Sequence, residues 1–346
     1  MNFCSDNATG ASPEVMDSLI RANEGHAMPY GDDPLTARVE QKLCGLFETD
    51  AEVFMVATGT ASNSLALTVM TPPYGAIFCH PEAHINAHEC GAPEFFTGGA
   101  RLIHMDDDNG LSTPAGFDAA WEHQGNSVHH VQAAAISLTQ TSEAGTLYTI
   151  ETIRAMADAA HERGLLVHMD GARFANAVAA VGCTPAEMSW KAGVDVLSFG
   201  ASKNGCIAAE AVVLFKRDLA KAFPFHRKRA GHLFSKMRFI SAQLDAYIEN
   251  DLWLQNARHA NAMATRLATG LAATANIGLL CQPAANIVFA ELSDPVMDGL
   301  EADGFEIYRD ADIIGSYIRL VTAFNTDPAH VDAFIASAAR HSGSAA

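Results

Sequence analysis

Two short stretches carry the residue types from which covalent catalysis can be built. One is His168-Met169-Asp170-Gly171-Ala172-Arg173; the other is Ser202-Lys203-Asn204. Each follows an apolar run, Leu165-Leu166-Val167 in the first case and Val194 to Phe199 in the second, with the length and flanks of a buried parallel strand. An Asp, an Arg and a Lys just past two such strands sit at the carboxyl edge of an open sheet, where ligands bind. Small residues (Ala201, Ser202, Asn204, Gly205) leave room beside Lys203, and a lysine so placed can hold a carbonyl compound as a Schiff base.

A third stretch supplies an anion site. The strand Glu52-Val53-Phe54-Met55-Val56-Ala57 runs into Thr58-Gly59-Thr60-Ala61-Ser62-Asn63 and then a helical pattern from Ser64 to Val69. Free backbone N–H groups and the helix dipole converge there, where a phosphate can sit. The stretch His80 to Cys90 holds His84 and His88 four residues apart. Surface histidines, a metal pair with Glu89 or Cys90, and a ring stacked on a flat cofactor are all open readings. Asp106-Asp107-Asp108 lacks the EF-hand spacing and reads as a solvated turn. Phe223 to Met237, with Arg238 just past it, is the one basic stretch, fit for an anion, including one from a partner subunit, or for a solvated helix face.

Elements that position these residues follow from the pattern. Seven apolar runs (near 52–57, 76–79, 101–105, 133–138, 165–170, 194–199 and 211–215) alternate with helical stretches, which predicts α/β architecture with a largely parallel sheet. Ser12-Pro13-Glu14 starts a helix, Ile150 to Arg163 is another, and a long helical region runs from Ser241 to about Leu271. Beyond it the pattern predicts strands at Asn286–Glu291, Phe305–Tyr308 and Tyr317–Val321, a last helix from Pro328, and a frayed end at Ser342–Ser344. The expected division is a large domain over 1–250, with the N-terminal segment, and a small α+β domain over 251–346.

Composition narrows the partners. The 346 residues are 49% hydrophobic and 18% charged, enough for a large core. A net charge of −18 argues against nucleic acid or an anionic membrane surface as the main partner. No run reaches the roughly 20 apolar residues of a spanning helix. The seven Cys form no C-x-x-C pair and Met1 to Asp6 lacks the features of a signal peptide, so a cytoplasmic protein with free thiols is expected.

The motifs G-x-x-x-x-G-K-[ST], G-x-G-x-x-G and G-x-S-x-G are absent. What remains is a lysine in a small-residue pocket, an Asp, an Arg and a phosphate loop, the set that pyridoxal phosphate needs for its aldehyde, ring nitrogen and phosphate. At this point the chain resembles the low-specificity L-threonine aldolases among the fold-type I pyridoxal-phosphate enzymes. The matching stretches are Ser5-Asp6-Asn7, Tyr30 to Asp33, Thr58 to Asn63, His84 with Glu89 to Ala92, His168 to Arg173, Ser202 to Gly205, Ser235 to Arg238, and Arg319 to Val321.

That resemblance implies a large domain with a seven-stranded, mostly parallel sheet and retro-aldol cleavage of threonine, allo-threonine or phenylserine to glycine and an aldehyde. It implies Lys203 as the Schiff-base lysine, Asp170 on the ring nitrogen, and His84 stacked on the ring and moving protons. Gly59 and Thr60 would bind the phosphate, with Arg238 also toward the cofactor. Arg173 would lie near the cofactor oxygen and, with Ser5 and Arg319, take the substrate carboxylate. Tyr30, Arg229 and Arg238 would reach a neighbouring subunit's site in a homodimer or homotetramer. No metal is implied. Many relatives carry a Thr-His-Asn-Gly motif at the substrate hydroxyl; here the stretch is Thr141-Ser142-Glu143-Ala144-Gly145, leaving Glu143 or His84 for that contact. β-Elimination on the same scaffold is the alternative reaction.

Overall fold

The structure, a computed structural model, describes residues 1–125, 127–309 and 316–343, without the side chains of Asp107 and Asp108. Its strands are β1 Glu52–Val56, β2 Gly75–Cys79, β3 Arg101–His104, the two-residue pair β4 Asp107–Asp108 and β5 Leu111–Ser112, β6 Gln132–Thr139, β7 Leu166–Gly171, β8 Val196–Gly200, β9 Glu210–Leu214, β10 Gly278–Leu279, β11 Ile287–Glu291 and β12 Tyr317–Val321. Seven form the main sheet in the order β1-β9-β8-β7-β6-β2-β3. From β8 to β3 every pairing is parallel, and β9 alone opposes both its neighbours, β8 and β1. Six strands therefore point one way. The loops after β1, β2, β6, β7 and β8 all emerge at one edge, and these are the loops that carry the residues singled out by chemistry. The seven-stranded, mostly parallel sheet is as the sequence predicts.

The helix after β1 begins earlier than its apolar spacing suggests, running Gly59–Met70, because the Thr58 hydroxyl accepts from the Ala61 amide at 3.2 Å and caps it. The helical region from Ser241 to Leu271 is two helices, Arg238–Ile248 and Leu252–Ala272. Asn250 and Asp251 between them take left-handed backbone (φ 52° and 57°), which stops the hydrogen-bond ladder at residue types that tolerate it. The second helix joins two cores. Trp253 and Ala257 pack with the main-sheet core, whereas Met263, Leu267 and Leu271 pack with Val288, Leu320 and Phe334 around the small sheet β10-β11-β12.

The chain start is part of that second core. Phe3 is buried 4.8 Å from Phe334, its amide donates to the Glu306 carbonyl, and its own carbonyl accepts from the Val321 amide. Residues Phe305–Tyr308, expected as a strand, make only an isolated parallel bridge between Glu306 and Asn2, since the segment has this short N-terminal partner. The last helix runs Pro328–Ser342, so Ser342 is helical rather than frayed, its side chain buried; Ser344 lies outside the described residues.

Aromatic packing anchors the end of β8. Phe199 lies edge-on to Phe47 and Trp253, both at 5.9 Å between centroids, and tilted against Tyr247 at 6.1 Å. Such pairs contribute about 0.5–1.5 kcal/mol each beyond area burial. At the next residue, Gly200, a Cβ would meet the Ala172 backbone at 2.6–2.8 Å, so only glycine lets β8 approach the Asp170–Arg173 turn this closely. Gly200→Ala is expected to lower the melting temperature by several degrees, measured by circular dichroism.

His168 inside β7 is fully buried between two hydroxyls, Ser137 on its Nδ1 at 2.9 Å and Ser198 on its Nε2 at 3.1 Å. Burial pushes its pKa down to about 4, with Asp170 opposing. The unfolded chain then binds a proton that the native state refuses between roughly pH 6.5 and 4, so stability is lost as pH falls through that window. His168 alone accounts for roughly 3 kcal/mol of this loss. Denaturant midpoints at pH 7 and pH 4 should show a smaller acid loss in His168→Gln than in the unsubstituted protein.

Candidate active site at the carboxyl edge

The loops after β2 and β7 meet in a buried polar chain. Asp170, at the end of β7, accepts from the Asn63 side-chain amide at 2.9 Å and from the Ala172 backbone amide at 3.0 Å. The same Asn63 nitrogen donates to Glu89 at 2.8 Å, and Glu89 pairs with Nδ1 of His84, also at 2.8 Å. Asn63, Glu89 and Asp170 are all buried, and His84 is half-buried. Hydrogen bonding to Glu89 holds the His84 pKa above its ordinary value, against desolvation. Burial holds Glu89 above the usual carboxylate range, although its bonds to His84 and Asn63 pull the other way.

Lys203 sits in a single 3₁₀ turn, Ser202–Asn204, immediately past β8. The turn is pinned by its neighbour. Asn204 donates to Tyr247 and to the Trp253 carbonyl, both at 2.8 Å, and its own carbonyl accepts from Asn256 at 2.8 Å. On the other side, the buried carboxylate of Glu210 accepts from the Ala201 amide at 2.9 Å; burial lifts Glu210 to a pKa of about 7. Burial and the nearby Arg173 cation hold the Lys203 pKa below its ordinary value, which favours the neutral, nucleophilic amine.

Arg173 makes a bidentate ion pair with Asp6, Nε to Oδ2 at 2.7 Å and Nη2 to Oδ1 at 2.9 Å, with the residues 5% and 2% exposed. Asn286 adds a donor to Asp6 at 3.0 Å. Although burial acts to raise it, the Asp6 carboxyl lies below its usual range because Arg173, Lys203 and Asn286 outweigh desolvation. Two of the guanidinium's nitrogens are thus spent on the protein itself.

Next to this cluster lies an open cleft of about 830 Å³, walled by the loops after β2 and β6 on one side and the small sheet on the other. Glu143, His88 and Arg319 line it, with Leu280, Phe289 and Ala144 as apolar surface. Lys203 and Asp170 are not among its lining residues. Glu143 links the two regions, because its charge acts on both Lys203 and Arg173. Gly59 and Thr60 form the first turn of their helix at the same edge, with open space where a Gly59 side chain would stand.

Other residues proposed from the sequence lie apart. Ser5 caps the Asn7 amide at 3.1 Å and lines a separate cavity of about 350 Å³. Tyr30 is 45% exposed, with Lys228 4.7 Å over its ring. Arg229 is exposed, and Arg238 donates to the Glu24 and Gly25 carbonyls. None of these three lines either cavity. Of the two histidines open to a metal reading, His84 begins a four-residue helix and His88 follows its end, and the His84 Nδ1 pairs with Glu89. Among the described residues no three His, Cys, Asp or Glu side chains gather as a metal-binding group, and no helix is long and apolar enough to cross a membrane. Sequence reasoning assigned no role to Asp6, Asn63 or Glu210. Asp6 and Asn63 stood inside the matching stretches, and that position was the available signal.

An open sheet with a lysine turn, a buried aspartate and a capped helix start along one carboxyl edge defines a fold-type I α/β protein. The sequence model of the beta-eliminating lyases matches residues 2–295. The chain is 45% identical, over 88% of each chain, to the low specificity L-threonine aldolase of Pseudomonas aeruginosa. It is 41% identical to the enzyme of the same name from a Pseudomonas species, covering 95% of this chain and 94% of that one. A solved structure of Leishmania major threonine aldolase superposes with a TM-score of 0.91 at 26% identity, over 98% of both chains. The chain belongs to the beta-eliminating lyase family.

Removing Asp6 leaves the Arg173 cation buried and unpaired, which typically costs about 3–5 kcal/mol. Asp6→Ala is therefore expected to lose stability on that scale in urea unfolding, and Asp6→Asn, which keeps acceptor geometry on one oxygen, to lose less.

Proposed function

We propose that this chain is a pyridoxal-phosphate-dependent aldehyde-lyase that cleaves threonine-type β-hydroxy-α-amino acids to glycine and an aldehyde. The observation that carries it is the convergence of Lys203, Asp170 and the Gly59-Thr60 helix start on one edge, in a chain close to low specificity L-threonine aldolases over nearly its whole length. The residues fit the cofactor. The buried Ser62 hydroxyl beside the helix start has no hydrogen-bond partner, and the Gly59 position is open, as a phosphate cradle requires. When bound, pyridoxal phosphate supplies an electron sink for breaking a bond at the α-carbon of an attached amino acid.

Lys203, its amine made nucleophilic by burial and the Arg173 cation, would hold the aldehyde of the cofactor. Asn63 and the Ala172 amide orient the Asp170 carboxylate for the ring nitrogen. Gly59 and Thr60 offer backbone N–H groups to the phosphate. Arg319, on the cleft wall, takes the substrate carboxylate; Arg173, paired with Asp6 through Nε and Nη2, keeps Nη1 outside that ion pair. Glu143 or His84 accepts the β-hydroxyl proton as Cα–Cβ breaks, the aldehyde leaves, and a proton returned to Cα gives glycine.

Subunit pairing extends this reading. Tyr30, Arg229 and Arg238 lie off their own cleft, which supports a homodimer or homotetramer in which they serve a neighbour's site. Ser5, which lines the other cavity, acts on the carboxylate-binding residues only by holding the turn that presents Asp6 to Arg173. The cytoplasm is the proposed compartment.

The test is product analysis on L-threonine, L-allo-threonine, their D isomers and phenylserine. Glycine with acetaldehyde or benzaldehyde is expected; ammonia with a 2-oxo acid would instead establish β-elimination. Lys203→Ala should abolish the visible absorbance of the bound cofactor together with turnover. Glu143→Gln should lower kcat by about 10²-fold or more, the scale of a lost general base, with KM little changed.

A further inference from the structure

We propose that Glu89 and Asn63 are positioning residues that set the protonation of His84 and couple it to Asp170. This rests on the roles given above to His84 and Asp170, and goes beyond the orienting of Asp170 by Asn63 in linking the charge state of one to the other.

The geometry decides the direction of each bond. An amide nitrogen only donates, so the two hydrogens on Asn63 Nδ2 go to two different carboxylates, Glu89 Oε1 and Asp170 Oδ2. Glu89 Oε1 also faces Nδ1 of His84. As an ionised carboxylate Glu89 can only accept, which places a hydrogen on Nδ1 and leaves Nε2 as the ring atom that takes or gives a second proton. The other carboxylate oxygen, Glu89 Oε2, is buried with no hydrogen-bond partner. A carboxylate kept with one dry oxygen is poorly solvated, and its charge is worth most when His84 becomes a cation. The charge states of the two groups are therefore coupled.

Among the described residues, three charged groups act on His84. Glu89 comes from its own loop, Asp170 from the end of β7 and Lys203 from the turn after β8, while the His88 ring stands 5.6 Å away. The helix Gly59–Met70, which brings Asn63, carries no charged residue. Both anions near His84 thus bind the same Asn63 nitrogen, so a change of charge on one is felt at the other. A proton gained at His84 draws Glu89 toward the ring, loosens its hold on Asn63, and strengthens the donation to Asp170.

The experiment follows His84 by NMR in isotope-labelled holoenzyme, with its signal assigned by His84→Asn, alongside the pH dependence of the cofactor's visible band. In Glu89→Gln, which keeps the hydrogen bonds and removes the charge, the His84 titration is expected to move down by about one unit or more, and the acid limb of kcat/KM for threonine to move with it. Glu89→Asp should restore most of the shift. Asn63→Ala should move both the His84 titration and the visible-band titration. A His84 titration unchanged in Glu89→Gln, or an Asn63→Ala variant that moves only one signal or neither, overturns the proposal. Should Glu89→Gln not fold, the Asn63→Ala pair of signals decides alone. Failure of the unsubstituted protein to bind pyridoxal phosphate or cleave threonine would count against the proposed function instead, and the His84 shift, read also in apoprotein, is independent of it.

Discussion

The direction of the strands is the constraint from which the site follows. Because β1, β2, β6, β7 and β8 point the same way, five loops far apart in sequence open at one edge. Parallel pairing fixes their spacing: Asp170 lies beside Ser198, and the Lys203 turn begins just past Gly200. A reversal of any one of these strands would carry its chemistry to the opposite edge. The single reversed strand, β9, instead brings Glu210 to that edge from its own N-terminal end, where it holds the backbone ahead of Lys203.

Gathering charges at a dry edge is expensive, and the structure offsets the cost by pairing. Arg173 is matched by Asp6, Asp6 is also held by Asn286, and Asp170 and Glu89 share the amide of Asn63. Each buried ion has directional partners, which is the condition for it to persist without collapse into solvent. The same pairing tunes the chemistry. Burial and the Arg173 cation keep Lys203 low in basicity against three nearby carboxylates, while His84 stays high because Glu89 bonds it directly. Two elements from outside the large sheet complete the arrangement: the first residues of the chain deliver Asp6, and the small sheet delivers Arg319 from β12 and Asn286 from just ahead of β11.

Much of this was legible from residue order. The seven strands, the lysine after β8, the aspartate ending β7 and the glycine-threonine helix start are local patterns, carried by apolar periodicity and by turn chemistry within a few residues. Local reasoning failed where the deciding contact was remote. The break at Asn250-Asp251 has no glycine or proline to announce it. The segment 305–308 has strand composition, yet its partner is two residues at the far terminus. Arg173 reads from sequence as open to substrate, but Asp6, 167 positions away, occupies two of its nitrogens.

Sequence alone determined the class of architecture and the identity of the chemical groups, because period, length and turn residues act over a handful of positions. Tertiary structure alone decided which groups are paired and which face the cleft. Glu143 and Arg319 come together across two sheets, Ser5 turns toward another cavity, and Asn63 ties Asp170 to Glu89. Those outcomes depend on distances between loops whose sequence separation carries no information about their separation in space, and they are settled only when both cores pack.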